Sequence, residues 1–242
     1  MYIGYLQFDP QTRNISDNVL YILKKCQRQT ESLIVLPELC FNSYYDFQPT
    51  TLQTFNNDIA KLITLSKYNK LTLVGTIALS RQEISRNRIF YIQNGKLVIG
   101  HAKHKLFAQE KTIFSPGTFP FTIIHYQGIT IGTCICLDIL NPSFIRRMVQ
   151  KGIDILLIPS TVSLDYLWTI AKARSLENQI ITIFANRSGK EKTCINYLGK
   201  STIFYPDGKH IASTKLNDLK IIEVTNSDLE KMRQMRKYLE II

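Results

Sequence analysis

Three residues of this chain that could do chemistry stand directly after short apolar runs: Glu38 in LIVLPELCF, Lys103 in GHAKHKLF and Cys136 in ITIGTCICLD. A thiol that attacks a carbonyl needs a base to take its proton and fixed positive charge to hold the oxyanion. The trio supplies a thiol, a carboxylate and an ammonium, and so points toward cleavage of an amide. Singly, none of the three is diagnostic: a loop glutamate is ordinary, a lysine is usually solvated, and a free cysteine often packs as a small apolar side chain. Only their conjunction at the ends of apolar runs lifts the reading above background.

Each position has a local argument. Glu38 follows a four-residue apolar strand and Pro37, so it leaves the sheet partly desolvated, which raises a carboxyl pKa toward base duty. Cys136 lies between the apolar run from Ile129 and a helix start near Asn141, and a strand-to-helix bend exposes a side chain and leaves backbone N–H groups free. On a strand Cys134 and Cys136 point the same way, so spacing alone does not choose between them. Lys103 ends the segment 97–102, with Lys105 close by. A rival set, His101 and His104 with Cys134 and Cys136, could be drawn as a zinc site, but Cys-X-Cys is tighter than the cysteine spacing such sites prefer.

The elements that must position these residues are legible in outline. Residues 2–8 read as a buried strand, and 16–29 carry Val19, Leu20, Ile22, Leu23 and Cys26 at helical spacing behind Ser16 as N-cap. Residues 33–36 form a short strand stopped by Pro37, and one helix holding Leu52, Phe55, Ile59, Leu62 and Ile63 leads to a strand over 71–79. Asn94-Gly95, between 88–93 and 97–102, and Gln127-Gly128, between 121–125 and 129–135, predict two hairpins. Asn141 as N-cap with Pro142 at the first helical position opens a helix to about 151, followed by strand 153–158, helix 165–177 and strand 180–185. Strand 201–205, the turn Pro206-Asp207-Gly208, strand 219–224 and a charged helix from about Ser227 complete the pattern. This order implies an α/β architecture of mixed sheets covered by helices. With no Pro/Gly/Ser linker, a single domain over 1–242 is expected.

At 242 residues and 45% hydrophobic, the chain can bury a full core. The formal charge of +11 comes from 30 Lys and Arg that are scattered, with only short clusters such as Lys24-Lys25 and Arg146-Arg147. A generally basic surface is therefore expected, rather than a nucleic-acid or membrane partner. The five cysteines, Cys26, Cys40, Cys134, Cys136 and Cys194, are odd in number and irregular in spacing, which fits reduced thiols in the cytoplasm better than a disulfide framework. The start MYIGYLQFDP has no basic segment followed by an apolar core, and no apolar run nears the roughly 18 residues of a membrane span, so a soluble, unexported protein is expected.

In this order and context the motifs resemble the nitrilase superfamily of carbon-nitrogen hydrolases, over most of the chain. LPELCFNSYY resembles the family's base motif and puts that role on Glu38; KHKLFAQEKTIFSPG resembles its lysine motif and selects Lys103 over Lys105. GTCICLD resembles the Gly-x-x-x-Cys-x-Asp nucleophile motif and selects Cys136 over Cys134. Arg146, Gly152, Asp154 and Pro159 resemble the segment after the nucleophile, ARSLENQIITIFANRSG is the most extended match, and GKSTIFYPDG resembles the late glycine, serine and Pro-x-Gly segment. Departures are Lys105 where many members have His, Leu137 where an aromatic is common, Ser143 where Glu often follows the proline, and a short interval from Lys103 to Glu110. The end at Ile242 is early for the family, so a reduced C-terminal arm is expected.

The resemblance implies an αββα four-layer sandwich and a two-step hydrolysis through a cysteine thioester. In that scheme Glu38 is the base, Cys136 the nucleophile, Lys103 and the Leu137 backbone N–H the oxyanion donors, and Glu110 a second, orienting glutamate. It implies no metal or organic cofactor, a small-molecule amide or carbamoyl substrate in preference to a nitrile, and a homodimer or higher homo-oligomer. A reading from another class is a catalytically idle binding protein on the same fold, its basic surface contacting nucleic acid or an acidic partner. The intact trio argues against it.

Overall fold

The computed structural model describes residues 1–10, 15–41, 50–118, 120–191 and 195–241. Its first half runs β1 (Tyr2–Gln7), α1 (Ile15–Cys26), β2 (Ser32–Val35), α2 (Leu52–Asp58), α3 (Ala60–Asn69), β3 (Thr72–Arg81), β4 (Ile84–Gln93) and β5 (Lys96–Ala102). The second half runs β6 (Thr122–Tyr126), β7 (Ile129–Thr133), α4 (Pro142–Gln150), β8 (Ile155–Ser160), α5 (Tyr166–Asn178), β9 (Ile181–Asn186), the short β10 (Ser188–Lys190) and β11 (Asn196–Leu198), then β12 (Thr202–Phe204), β13 (His210–Ala212), β14 (Asp218–Glu223) and α6 (Asn226–Tyr238).

Two six-stranded mixed sheets result, ordered β14-β1-β2-β3-β4-β5 and β13-β12-β9-β8-β7-β6. Each has a parallel centre, β1-β2-β3 in one and β7-β8-β9 in the other, flanked by antiparallel strands. Strands buried on both faces read as unbroken apolar runs, as in Leu33-Ile34-Val35 and Ile155-Leu156-Leu157-Ile158. Strand alternation then sorts their side chains into layers. Ile3, Tyr5 and Val35 of the first sheet meet Ile131, Leu157 and Ile183 of the second in a shared core. On the outer face of the first sheet, Leu6, Ile34 and Leu73 pack with Val19 and Ile22 of α1 and Leu62 of α3. On the outer face of the second, Leu156 and Phe184 pack with Phe144 and Met148 of α4 and Leu167 of α5. The layers are helix, sheet, sheet, helix, as expected.

Both anticipated hairpins form, with Asn94, Gly95, Gln127 and Gly128 all at positive φ, the backbone that two-residue hairpin turns demand. Other details differ. Ser16 sits inside the first turn of α1 rather than capping it, because the helix already includes Ile15. The single helix expected around Ile59 is two, broken after Asn56-Asn57-Asp58, whose short polar side chains compete with the helical backbone. A hairpin between β3 and β4 turns on Gln82 and Glu83, both at positive φ without a glycine or asparagine to announce it. Among the described residues no helix is long and apolar enough to cross a membrane.

Candidate active site

The three singled-out residues follow strand ends in two sheets, Glu38 and Lys103 in the first and Cys136 in the second. Pro37 follows β2 and, lacking an N–H, cannot continue the ladder; Glu38 comes next, its N–H donating to the Ser160 carbonyl at 3.3 Å and its carbonyl accepting from Thr161 Oγ1 at 2.9 Å. That stitches the end of β2 to the end of β8 in the other sheet. Lys103 comes directly after β5, its N–H donating to the Asn87 carbonyl at 2.8 Å. Cys136 opens a 3-10 turn, Cys136–Leu140, that precedes α4.

Cys136 adopts φ +46°, a left-handed conformation that costs a non-glycine residue and persists only where surroundings impose it. Asp138 is the clamp. Its Oδ2 accepts from Ile135 N–H at 3.4 Å, and its Oδ1 accepts from the N–H groups of His104 (3.1 Å) and Lys105 (2.7 Å). One buried carboxylate therefore ties the cysteine turn to the lysine loop.

The side chains converge. Lys103 Nζ lies 2.7 Å from Glu38 Oε1 and 2.7 and 2.8 Å from the two oxygens of Glu110. Glu110 is fixed in turn by the Phe107 N–H at 2.7 Å, and Glu38 Oε1 by Asn87 Nδ2 at 2.8 Å. Glu38, Lys103 and Glu110 are all buried. Glu38 Oε2 has no hydrogen-bond partner among the described residues, and the Cys136 thiol is close enough to affect the Glu38 proton. Burial pushes the Glu38 carboxyl up to about 7, against the pull of Lys103 and with a further push from Glu110. Burial weighs against charge on Lys103, but Glu38, Cys136 and Glu110 together outweigh it and hold its pKa above the ordinary lysine value. Burial, and next the charge of Glu38, raise the Cys136 thiol well above its ordinary value. Burial thus favours the protonated form of the Cys136 thiol, which lies beside the Glu38 carboxyl.

Cys136 is not exposed by the bend, as the sequence suggested; it is 3% accessible, set at a pocket of about 100 Å³ that Lys103, Leu137, Thr161, Tyr166 and Tyr197 also line. Leu137 sits in the first turn of the 3-10 segment, where N–H groups lack intrahelical acceptors. The wall at 161–164 is pinned by Asn186, whose Oδ1 accepts from Val162 N–H at 2.9 Å while its Nδ2 donates to the carbonyls of Val162 and Gly199. Cys134 is buried in the core behind the second sheet and Lys105 is exposed. Among the described residues no group of three or more His, Cys, Asp and Glu side chains is placed to hold a metal, and His101 Nδ1 instead meets Thr122 Oγ1 at 2.9 Å. Cys194 and residues 42–45 of the base motif lie outside the described residues.

Sequence reasoning missed Asn87, Thr161 and the clamping work of Asp138. Asp138 was inside the quoted GTCICLD motif, whereas Asn87 on amphipathic β4 carries no local signal.

Comparison with known proteins bears on the fold and the family. The chain is 26% identical to a nitrilase of Pyrococcus abyssi, over 97% of its length and 92% of the relative. It is 26% identical to the omega-amidase YafV of Escherichia coli K12, over 90% of its length and 86% of the relative. Among solved structures, a mutant of the amidase from Nesterenkonia sp. AN1, which shows covalent addition of the acetamide moiety of fluoroacetamide at its active-site cysteine, superposes with a TM-score of 0.84 at 19% identity, covering 100% of this chain and 97% of that one. The carbon-nitrogen hydrolase family model matches residues 3–237. Since that match spans nearly the whole chain and takes in Glu38, Lys103 and Cys136, this chain belongs to the carbon-nitrogen hydrolase family and is a carbon-nitrogen hydrolase.

Proposed function

We propose that the protein hydrolyses the amide of a small carboxylic acid through a thioester on Cys136. The observation that carries this reading is the buried cluster in which one ammonium sits 2.7 Å from each of two carboxylates, beside a thiol that lines a pocket. Glu38 takes the thiol proton as sulfur bonds to the amide carbon, and the carbonyl electron pair moves onto oxygen. Lys103 and the Leu137 N–H hold that oxyanion. Collapse of the intermediate expels ammonia, which leaves with the proton from Glu38, and the thioester remains. Water then attacks the thioester, giving a proton to Glu38; the C–S bond breaks to release the carboxylic acid, and the departing thiolate takes that proton back. Glu110 holds Lys103 in place through both reactions. An amide substrate, rather than a nitrile, is supported by the omega-amidase and amidase among the similar proteins. A cofactor-free, cytoplasmic homo-oligomer goes with this reading.

The test is ammonia release from small amides by wild type and Cys136→Ala, with an acyl adduct sought on Cys136 by mass spectrometry under substrate. Turnover lost in the variant at an unchanged circular dichroism spectrum, with the adduct on Cys136 in wild type, is expected. Equal turnover in both proteins rejects the nucleophile.

A further inference from the structure

A buried charged cluster that the reaction does not use stands behind the pocket. Arg187 directly follows β9, and its N–H donates at 3.0 Å to the Ser160 carbonyl, the oxygen that also receives the Glu38 N–H. Its side chain is fully enclosed. The guanidinium donates to Asp9 Oδ1 at 2.9 Å and to Glu191 Oε2 at 2.7 Å, and it lies 4.3 Å from the centroid of the Tyr197 ring. The Tyr197 hydroxyl donates to the same Glu191 oxygen at 2.7 Å. One ring is therefore gripped on its face by a cation and at its tip by that cation's partner anion. This ring lines the pocket beside Cys136 and Lys103.

We infer that Arg187, with Glu191, is a positioning residue that clamps Tyr197 as the wall limiting the length of the acyl group Cys136 accepts. This rests on the hydrolytic reading of Cys136 given above. Tyr197 belongs to β11, which pairs only with β10 in a hairpin of two three-residue strands. So short a hairpin has little of its own to fix it. It is registered to the site from outside, by the Leu198 N–H on the Val162 carbonyl at 3.1 Å, by the Gly199 N–H on the Arg187 carbonyl at 3.0 Å, and by the grip of Arg187 on the ring. A buried ion pair adds little net stability but fixes one arrangement, since breaking it strands a charge. Held at face and tip, the ring does not swing aside for a longer chain, and a pocket of about 100 Å³ stays small. Arg187 itself acts only through Tyr197, because it is not among the residues that line the pocket.

The experiment compares ammonia release from propionamide and hexanamide by the purified full chain and its variants, with kcat and KM resolved for each amide and circular dichroism as the check on folding. Tyr197→Ala is expected to raise the kcat/KM ratio of hexanamide to propionamide by at least about tenfold over wild type, since the added methylenes find the space the ring had filled. Arg187→Lys keeps the charge but loses the planar fork and the stack. It should shift the ratio the same way by at least about threefold, carried by a lower KM for hexanamide. Glu191→Gln, which keeps the shape of the clamp and removes one charge, should give the same shift and serves if Arg187→Lys does not fold. An unchanged ratio in Tyr197→Ala overturns the wall. A ratio shifted there but unchanged in the clamp variants overturns the positioning role, as does an equal fall for both amides, which marks general loosening. If wild type releases no ammonia and carries no adduct on Cys136, the hydrolytic reading fails by itself. The wall is then read from the ratio of Cys136 alkylation rates by 2-bromohexanamide and 2-bromoacetamide, which should rise in Tyr197→Ala and in the clamp variants; a constant ratio overturns the proposal as well.

Discussion

In the proposed mechanism, burial is what makes Glu38 and Lys103 into reagents. Glu38, pushed up to about 7, can accept a proton near neutrality and return it to a leaving amine, which an exposed glutamate does poorly. The sign follows from the role: the base works only when deprotonated. kcat/KM should therefore fall about tenfold per pH unit below about 7 and level off above it, in a pH–rate profile that reports the coupled cluster rather than Glu38 alone. Glu38→Gln should remove the activity together with that acid limb. Lys103 neutralises two buried carboxylates, so Lys103→Ala leaves both without a counter-charge. We expect a stability loss of about 3–5 kcal/mol in urea unfolding, and a rate loss of roughly a hundredfold or more from the missing oxyanion donor.

At the scale of elements, the turn Cys136–Leu140 is tied through Asp138 to the lysine loop it faces. Asp138 receives three backbone N–H groups from two separate segments, one on each side of the site. Asp138→Ala should destabilise by roughly 1.5–3 kcal/mol, the worth of hydrogen bonds to a charged group. It should also lower kcat more than it raises KM, because the thiol and ammonium lose their mutual registration while the pocket walls stay. Asp138→Asn, which keeps one acceptor oxygen, should recover part of both, as steady-state kinetics and thermal unfolding will show.

Two features tune the whole molecule. Asp154, at the start of β8, accepts from Arg233 and Arg236 of α6 at 2.6 to 2.9 Å, while Arg236 also reaches the Ile153 carbonyl. These contacts fasten α6, whose Leu229 and Met232 close the core between the sheets. Asp154→Ala leaves Arg236 buried and uncompensated, and should cost about 3–5 kcal/mol by urea unfolding. His101 acts through pH. Burial, and then the charges of His104 and Arg88, lower it from 6.5 to about 3. Below the upper value the unfolded chain binds a proton that the folded protein refuses, so stability falls as pH drops through that window. Urea midpoints compared between about pH 6 and 4 should fall less in His101→Gln than in wild type.

Local pattern sufficed wherever a residue's own neighbours in the chain decide its conformation. The parallel strands announce themselves as apolar runs, the hairpins at Asn94-Gly95 and Gln127-Gly128 as positive-φ pairs, and the start of α4 as Asn141-Pro142, whose side-chain cap on Phe144 N–H forms at 3.2 Å. Glu38, Lys103 and Cys136 were legible because each follows such a run, and motif resemblance chose among neighbouring lysines and cysteines. What tertiary structure alone decided is which distant groups share a desolvated volume. That Asn87 bonds Glu38 across 49 positions, that Glu110 closes on Lys103, and that Glu38 is stitched to Ser160 and Thr161 of the second sheet all depend on distant strands packing together. Charge, pKa and selectivity are set by what lies within a few ångströms in space, and no periodicity along the chain encodes that distance.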